Sequence, residues 1–202
     1  LSEGLILDLK TISWFVLDNS YVCSNKRTGL EHAKRAGIPT TVLSHNNFKN
    51  RETFDSSLTE IIERFDVDLI CLAGFMRILS DGFVNHWFDR MINIHPSLLP
   101  DYKGLNVHER VIKGGEDFSG CTVHYVRPDM DTGPIIKQAK VALKTGDDAS
   151  SLAVRVLEQE HIIYPEVVRL IAEDRIRIEK ECDVIDDETW NRNYANKTTL
   201  PE

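Results

Sequence analysis

Leu69-Ile70-Cys71-Leu72-Ala73 is the stretch that decides the fold. Apolar residues follow one another here without polar alternation. A strand of this kind is covered on both faces, as in a parallel sheet flanked by helices. Working upstream, residues 51–65 place Phe54, Leu58, Ile61, Ile62 and Phe65 on one helical stripe. Working downstream, the pattern predicts a helix near 81–89 and a strand at Met91–Ile94. Helix, strand, helix and strand in succession point to an α/β fold with a mainly parallel sheet.

The flanking segments extend that reading. Ile12–Val16 and Tyr21–Cys23 read as strand pieces, and 28–36 as a short helix closed by Gly37 and Pro39. Thr40–Leu43 is rich in β-formers. Cys121–Val126 and Ile135–Leu143 read as strands separated by the turn-rich Arg127–Pro134, an antiparallel pair at the sheet edge. A long helix is predicted from near Asp147 to beyond 170, bent at Pro165. The fold expected is α/β: a Rossmann-like, mostly parallel sheet with helices on both faces and an antiparallel edge.

Residues 1–202 are expected to form a single domain, with halves at 1–90 and 91–180 and an acidic tail at 181–202. The tail is expected to be ordered poorly or only by local packing. It carries six acids (Glu181, Asp183, Asp186, Asp187, Glu188, Glu202) against Arg192 and Lys197, half of the formal charge of −8. The acidic total argues against nucleic-acid and anionic-membrane partners. No apolar run approaches the roughly 20 residues of a membrane span. Cys23, Cys71, Cys121 and Cys182 form no CxxC motif. The first three sit in apolar runs as expected free thiols, which fits a reducing, cytoplasmic setting. The chain begins at Leu1 rather than Met, and a preceding segment is expected to have been removed or to be missing.

Chemistry concentrates in Asn93-Ile94-His95-Pro96-Ser97-Leu98-Leu99-Pro100. Alternate strand residues share a face, so Asn93 and His95 point the same way, roughly 7 Å apart at Cα. Pro96 keeps His95 extended. The pair would sit at the carboxyl end of a strand, where open α/β sheets form their ligand crevice. An amide can donate to a developing oxyanion, worth roughly 3 kcal/mol, and an imidazole moves protons near neutrality. The alternative is a hydrogen-bonded strand-end pair without catalytic work. Ser97 lacks a nucleophile elbow, which favours direct transfer to an amine over a covalent serine intermediate.

Other candidates carry alternatives too. Asp131 could face an imidazole and raise its pKa, or simply form a turn. Nothing local shows that its loop reaches His95. Glu160 falls on the apolar stripe of the long helix with Leu152, Val156, Ile163 and Val167. It could hold a substrate hydroxyl or amine, or pair internally with Arg155. Arg77 suits a flat anionic ligand or a carbonyl cap. Arg51 and Lys49 open a helix, where cations oppose the dipole and so hint at an anion. His124 reads by default as a satisfied sheet histidine. No histidine–acid spacing suggests a metal cage, so no metal is expected.

With these residues in place, the chain resembles the phosphoribosylglycinamide formyltransferases, folate-dependent enzymes of purine synthesis. The resemblance runs from about Ser24-Asn25-Lys26 to about residue 180. Its motifs are Ala73-Gly74-Phe75-Met76-Arg77-Ile78-Leu79, Asn93 to Pro100, Gly120-Cys121-Thr122-Val123-His124, Asp131-Thr132-Gly133-Pro134, and Glu160-His161 before Tyr164-Pro165. It implies the formyltransferase fold and transfer of formyl from 10-formyltetrahydrofolate, as cosubstrate, to the amine of glycinamide ribonucleotide. It also implies that Asn93 stabilises the oxyanion, that His95 shuttles protons, and that Asp131 raises the histidine pKa and organises water. Arg51, Met76, Arg77, Ile78, Leu79, Asn93, Arg127, Pro128, Asp129, Met130 and Asp131 would border the folate. Gly104 and Glu160 would contact glycinamide ribonucleotide. The enzyme would be a monomer or homodimer.

Methionyl-tRNA formyltransferase adds a C-terminal domain for which 202 residues leave no room. Formyltetrahydrofolate deformylase typically adds an N-terminal regulatory domain and has His where Pro96 stands. The family opens with a strand and a Gly-rich turn ending Gly-Ser-Asn, whose amides hold the substrate phosphate. Nothing before Ile12 matches it. Either the chain is a fragment, which is the expectation, or it is a variant without its phosphate cradle. The second case would make it a catalytically silent folate- or nucleotide-binding module.

Overall fold

The computed structural model describes residues 31, 33–180 and 183–186. The expected strands Ile12–Val16 and Tyr21–Cys23, and the start of the helix at 28–36, lie outside these residues. The chain divides into two compact units, Leu1–Asn93 with Val126–Met130, and Ile94–Tyr125 with Asp131–Glu202.

In the first unit, α1 (Arg51–Glu63) begins where the Asn50 side chain accepts the Thr53 amide at 2.9 Å. An N-cap of this kind is worth about 1 kcal/mol. Its buried face carries Phe54, Leu58 and Ile62, three of the five residues of the apolar stripe. The run at Leu69–Ala73 yields β1 (Ile70–Leu72), and after α2 (Asp81–His86) comes β2 (Met91–His95). The strands pair in parallel, Ile70 with Met91 and Leu72 with Asn93. Between them lies one core of Phe54, Leu58, Ile62, Val67, Ile70, Leu79, Phe83, Val84, Trp87 and Met91. Each such side chain contributes roughly 1.5–3 kcal/mol on burial. Buried Asp55 accepts the Ser80 amide at 2.6 Å, tying α1 to the N-cap of α2.

The second unit takes the last two residues of β2, Ile94 and His95. It continues with α3 (Val107–Gly114), β3 (Phe118–Tyr125), β4 (Ile135–Ala142), α4 (Ala149–Ala172), β5 (Ile176–Lys180) and β6 (Asp183–Asp186). Strands β3 and β4 are antiparallel, as expected of the pair flanking the 127–134 turn. A register shift between Val123 and His124 marks a bulge in the ladder. Helix α4 packs on both strands and starts from a reciprocal Asp148–Ser151 capping box. Pro165 lies inside this helix.

The α/β reading stands, and two details of it are corrected. Thr40–Leu43 is not a strand: its β-branched residues find no ladder among the described residues. Asp183–Asp186, read as part of a loosely ordered tail, is a strand antiparallel to β5 and parallel to β4. Backbone pairing there is indifferent to the acidic composition. Among the described residues, β1 pairs with β2 and β4 with β6 in parallel, and β3 with β4 and β5 with β6 antiparallel.

Candidate active site

His95 ends β2 and is 6% exposed. Its ring lies between two acceptors. Nε2 is 3.0 Å from the Tyr102 carbonyl oxygen, and Nδ1 is 3.5 Å from Asp131 Oδ2. A carbonyl can only accept, so Nε2 carries a hydrogen and donates it. That bond fixes the ring orientation and leaves Nδ1 toward the carboxylate. Asp131 stands 36 positions later in the sequence, in the loop before β4. It adopts a left-handed φ of 54° and accepts the Gly104 amide at 2.9 Å. Gly104, at φ 80°, holds a backbone conformation that suits glycine.

A second imidazole joins this pair. His124 on β3 is buried, with Nδ1 2.8 Å from its neighbour's carbonyl at Tyr125 and Nε2 3.7 Å from Asp131 Oδ1. Burial pushes its pKa down, outweighing the backbone bond and the Asp131 charge that push it up. Burial thus disfavours the charged form of His124. Its default reading as a structural sheet histidine missed this approach to Asp131. The available signal was its position on β3, a few residues before the Asp131 loop, but the bulge beside it left no mark in the sequence. His108 on α3 was also missed. Burial, and then the charge of His95, hold its imidazole below the ordinary range.

The segment after His95 is pinned by a buried hydroxyl. Thr122 Oγ1 donates to the Ser97 carbonyl at 2.6 Å and accepts from the Leu99 amide at 3.0 Å. Gln138 bonds both Leu99 oxygen and Thr122 Oγ1. Ser97 donates to the Asp101 carbonyl at 2.6 Å, so its hydroxyl serves the loop, in keeping with the absence of an elbow.

Glu160 is partly buried on α4, and burial pushes its carboxyl up to about 7. The expected alternative partner, Arg155, is instead bound to Asp147 at the start of the helix. The helix cap brings Asp147 to Arg155 across eight positions. Cys121, buried on β3, has its thiol raised to about 12, by burial first and the Glu160 charge second, and is unreactive.

The remaining candidates belong to the first unit. Asn93 is partly buried, two positions before His95 on β2. Met76 and Ile78 are 60% and 56% exposed, apolar side chains offered to solvent. Leu79 is a core residue instead. The Arg77 guanidinium lies 5.3 Å from the Phe54 ring centre. Arg127 is engaged by Asp89 at 2.6 Å and by the Phe88 face at 3.9 Å. Arg51, Pro128, Asp129 and Met130 are exposed.

The formyl transferase family model matches residues 4–168. The chain is 49% identical over 159 residues to the trifunctional purine biosynthetic protein adenosine-3 of Bos taurus, covering 78% of this chain and 16% of that protein. It is 43% identical over 167 residues to the phosphoribosylglycinamide formyltransferase of Escherichia coli, covering 82% of this chain and 79% of that one. The crystal structure of glycinamide ribonucleotide transformylase 1 from Symbiobacterium toebii superposes with a TM-score of 0.79 at 39% identity, covering 86% and 80% of the two chains. The chain belongs to the formyl transferase family.

Proposed function

We propose that this chain transfers the formyl group of 10-formyltetrahydrofolate to the amine of glycinamide ribonucleotide. The observation that carries the reading is the buried His95–Asp131 pair at the end of β2, with Asn93 two positions before it, in a formyl transferase chain. The amine nitrogen attacks the formyl carbon and a tetrahedral oxyanion forms. The Asn93 amide donates to that oxygen, a contribution of roughly 3 kcal/mol. The amine must lose a proton and the departing N10 of the folate must gain one. His95, oriented by Tyr102 and faced by Asp131, handles that exchange. The C–N bond to glycinamide ribonucleotide forms in the attack, and collapse of the oxyanion back to a carbonyl then breaks the bond to N10, which leaves with the proton.

Glu160, with a carboxyl near 7, is suited to meet the substrate amine or hydroxyls. Met76, Ile78, Arg77 and Arg51, with the 127–130 segment, are proposed to border the folate, and Gly104 the ribonucleotide. The reading includes a cytoplasmic enzyme, monomeric or homodimeric, acting on small molecules. Cys121 is a free, buried thiol, which suits a reducing compartment. No helix among the described residues is long and apolar enough to cross a membrane.

The test is turnover of both substrates, followed by the absorbance of the deformylated folate, in wild type and His95→Ala. Loss of at least about 100-fold in the variant is expected. Wild-type turnover in His95→Ala would overturn the role of His95. Formate release that needs no glycinamide ribonucleotide would overturn the proposed acceptor.

A further inference from the structure

One turn orients both members of the His95–Asp131 pair. The Tyr102 carbonyl takes the His95 Nε2 hydrogen, and the Gly104 amide donates to Asp131. Neither contact uses a side chain of the turn, so both depend on how its backbone is held. That backbone is strained: Tyr102 and Asn106 are non-glycine residues at φ 55° and 54°. Something outside the turn must hold it.

Arg110 and Glu116 do so from outside it, Glu116 through the Tyr102 side chain and with room left by Gly114. Arg110 on α3 donates through Nη1 to the carbonyls of Lys103 and Leu105, at 2.6 and 3.3 Å, one on each side of Gly104. Its guanidinium also stands 5.5 Å from the centre of the Tyr102 ring. The Tyr102 hydroxyl donates to Glu116 at 2.6 Å, beyond the end of α3. Gly114, the last residue of α3, leaves room for that hydroxyl, since a Cβ there would overlap it. Arg110 therefore grips the turn by its backbone, while Glu116 and Gly114 seat the Tyr102 ring.

We propose that Arg110 and Gly114 of α3, Glu116 just beyond it and the Tyr102 side chain form a latch that positions His95 and Asp131 for proton transfer. They are positioning residues: the proposal rests on His95 and Asp131 being the proton-handling pair, and the latch acts only through them. A displacement of about 1 Å in such a pair can cost as much as 100-fold in rate.

Gly114→Ala gives the sharpest test. Gly114 is helical, so alanine favours the helix while its methyl displaces the phenol from Glu116. The variant is expected to melt no lower than wild type yet lose about tenfold in kcat, with both KM values within about twofold. Arg110→Ala is expected to lose as much, and Arg110→Lys only part of it. Glu116→Gln, which keeps an oxygen for the phenol, is expected to recover activity lost in Glu116→Ala. The second readout is independent of turnover: the His95 Nε2–H proton resonance, expected to be observable in wild type because of its bond to the Tyr102 carbonyl, should broaden or vanish in Arg110→Ala and Gly114→Ala. Variants with wild-type kcat and an intact resonance overturn the latch, as does loss of kcat with the resonance intact. A wild-type chain that fails to formylate glycinamide ribonucleotide overturns the functional reading, and the resonance then still decides the latch.

Discussion

Glu160→Gln should make this protein more stable, and more so as pH rises. The carboxyl of Glu160 is held up at about 7 by burial, against an ordinary value of 4.5. A carboxylate raised on folding binds its proton more tightly in the native state. The protonated group therefore lends its full relative stability below about pH 4.5, and that stability is lost as pH climbs through about 7. The gap between about 7 and 4.5, at about 1.4 kcal/mol per pH unit, gives about 3 kcal/mol as an upper bound, reduced by whatever solvent reaches the partly exposed side chain. Glutamine keeps the shape and polarity but cannot ionise. Urea unfolding of both proteins, followed by circular dichroism from about pH 5 to about pH 8, measures the difference directly. The advantage of the variant should grow from about pH 5 by at most about 2.5 kcal/mol and level off above about pH 7. A difference that stays flat, or that shrinks with pH, would refute burial as the cause of the shift. The same variant should raise the KM for glycinamide ribonucleotide if the carboxylate meets its amine.

Thr122→Val deletes the hydroxyl shared by Ser97, Leu99 and Gln138 and leaves buried backbone groups without their partner. It should cost about 2–3 kcal/mol, read as a fall in the urea midpoint; an unchanged midpoint would show the network to be dispensable. Asp131→Asn keeps an oxygen for the Gly104 amide but removes the charge facing His95. Its kcat should fall by about 100-fold or more with the melting temperature little changed, and an intact kcat would remove the carboxylate from the proton path. Gly120→Ala would drive a methyl group into the Ala139 carbonyl across the β3–β4 ladder and against Leu98. A loss of at least about 1–3 kcal/mol by thermal unfolding is expected, and a wild-type melt would contradict the close approach of the two strands.

The elements that sequence reading found best are those whose signal is local. The apolar run at 69–73 and the Phe54, Leu58 and Ile62 stripe report burial directly, and β1 and α1 form there. Asn93 and His95 were legible because a strand fixes their relation in two residues. The meeting of His95 with Asp131 was not, since it depends on the path of the chain through β3 and its return, and the family resemblance supplied it. His124 shows the limit well. A period of two placed it on β3, but the bulge that accompanies its approach to Asp131 is a property of the paired ladder, not of either strand alone. Glu160 was recognised as a carboxylate in apolar company, yet its proposed partner failed. Arg155 answers to Asp147, and the geometry of a helix cap rather than helical spacing decides that pair. The strand at Asp183–Asp186 was not singled out for the opposite reason: acidic composition suggested a segment ordered poorly or only by local packing, whereas a ladder asks only for backbone groups.

The turn at 101–106 resolves why strain is tolerated beside the site. Tyr102, Asn106 and Asp131 each hold a left-handed φ without being glycine, at about 1–2 kcal/mol apiece. A relaxed turn would avoid that cost, but it would not present a carbonyl at position 102 and an amide at position 104 to groups of opposite need. His95 requires an acceptor and Asp131 requires a donor, and two peptide groups two residues apart supply one each. A charged acceptor bond such as that of Asp131 returns about 1.5–3 kcal/mol, and the buried Thr122 bonds return about 1 kcal/mol each. Strain and hydrogen bonding are thus of the same size. The turn can keep its conformation only while its outside contacts persist, which is why loss of a single contact from Arg110 or Glu116, far from the reacting atoms, should be felt at the imidazole.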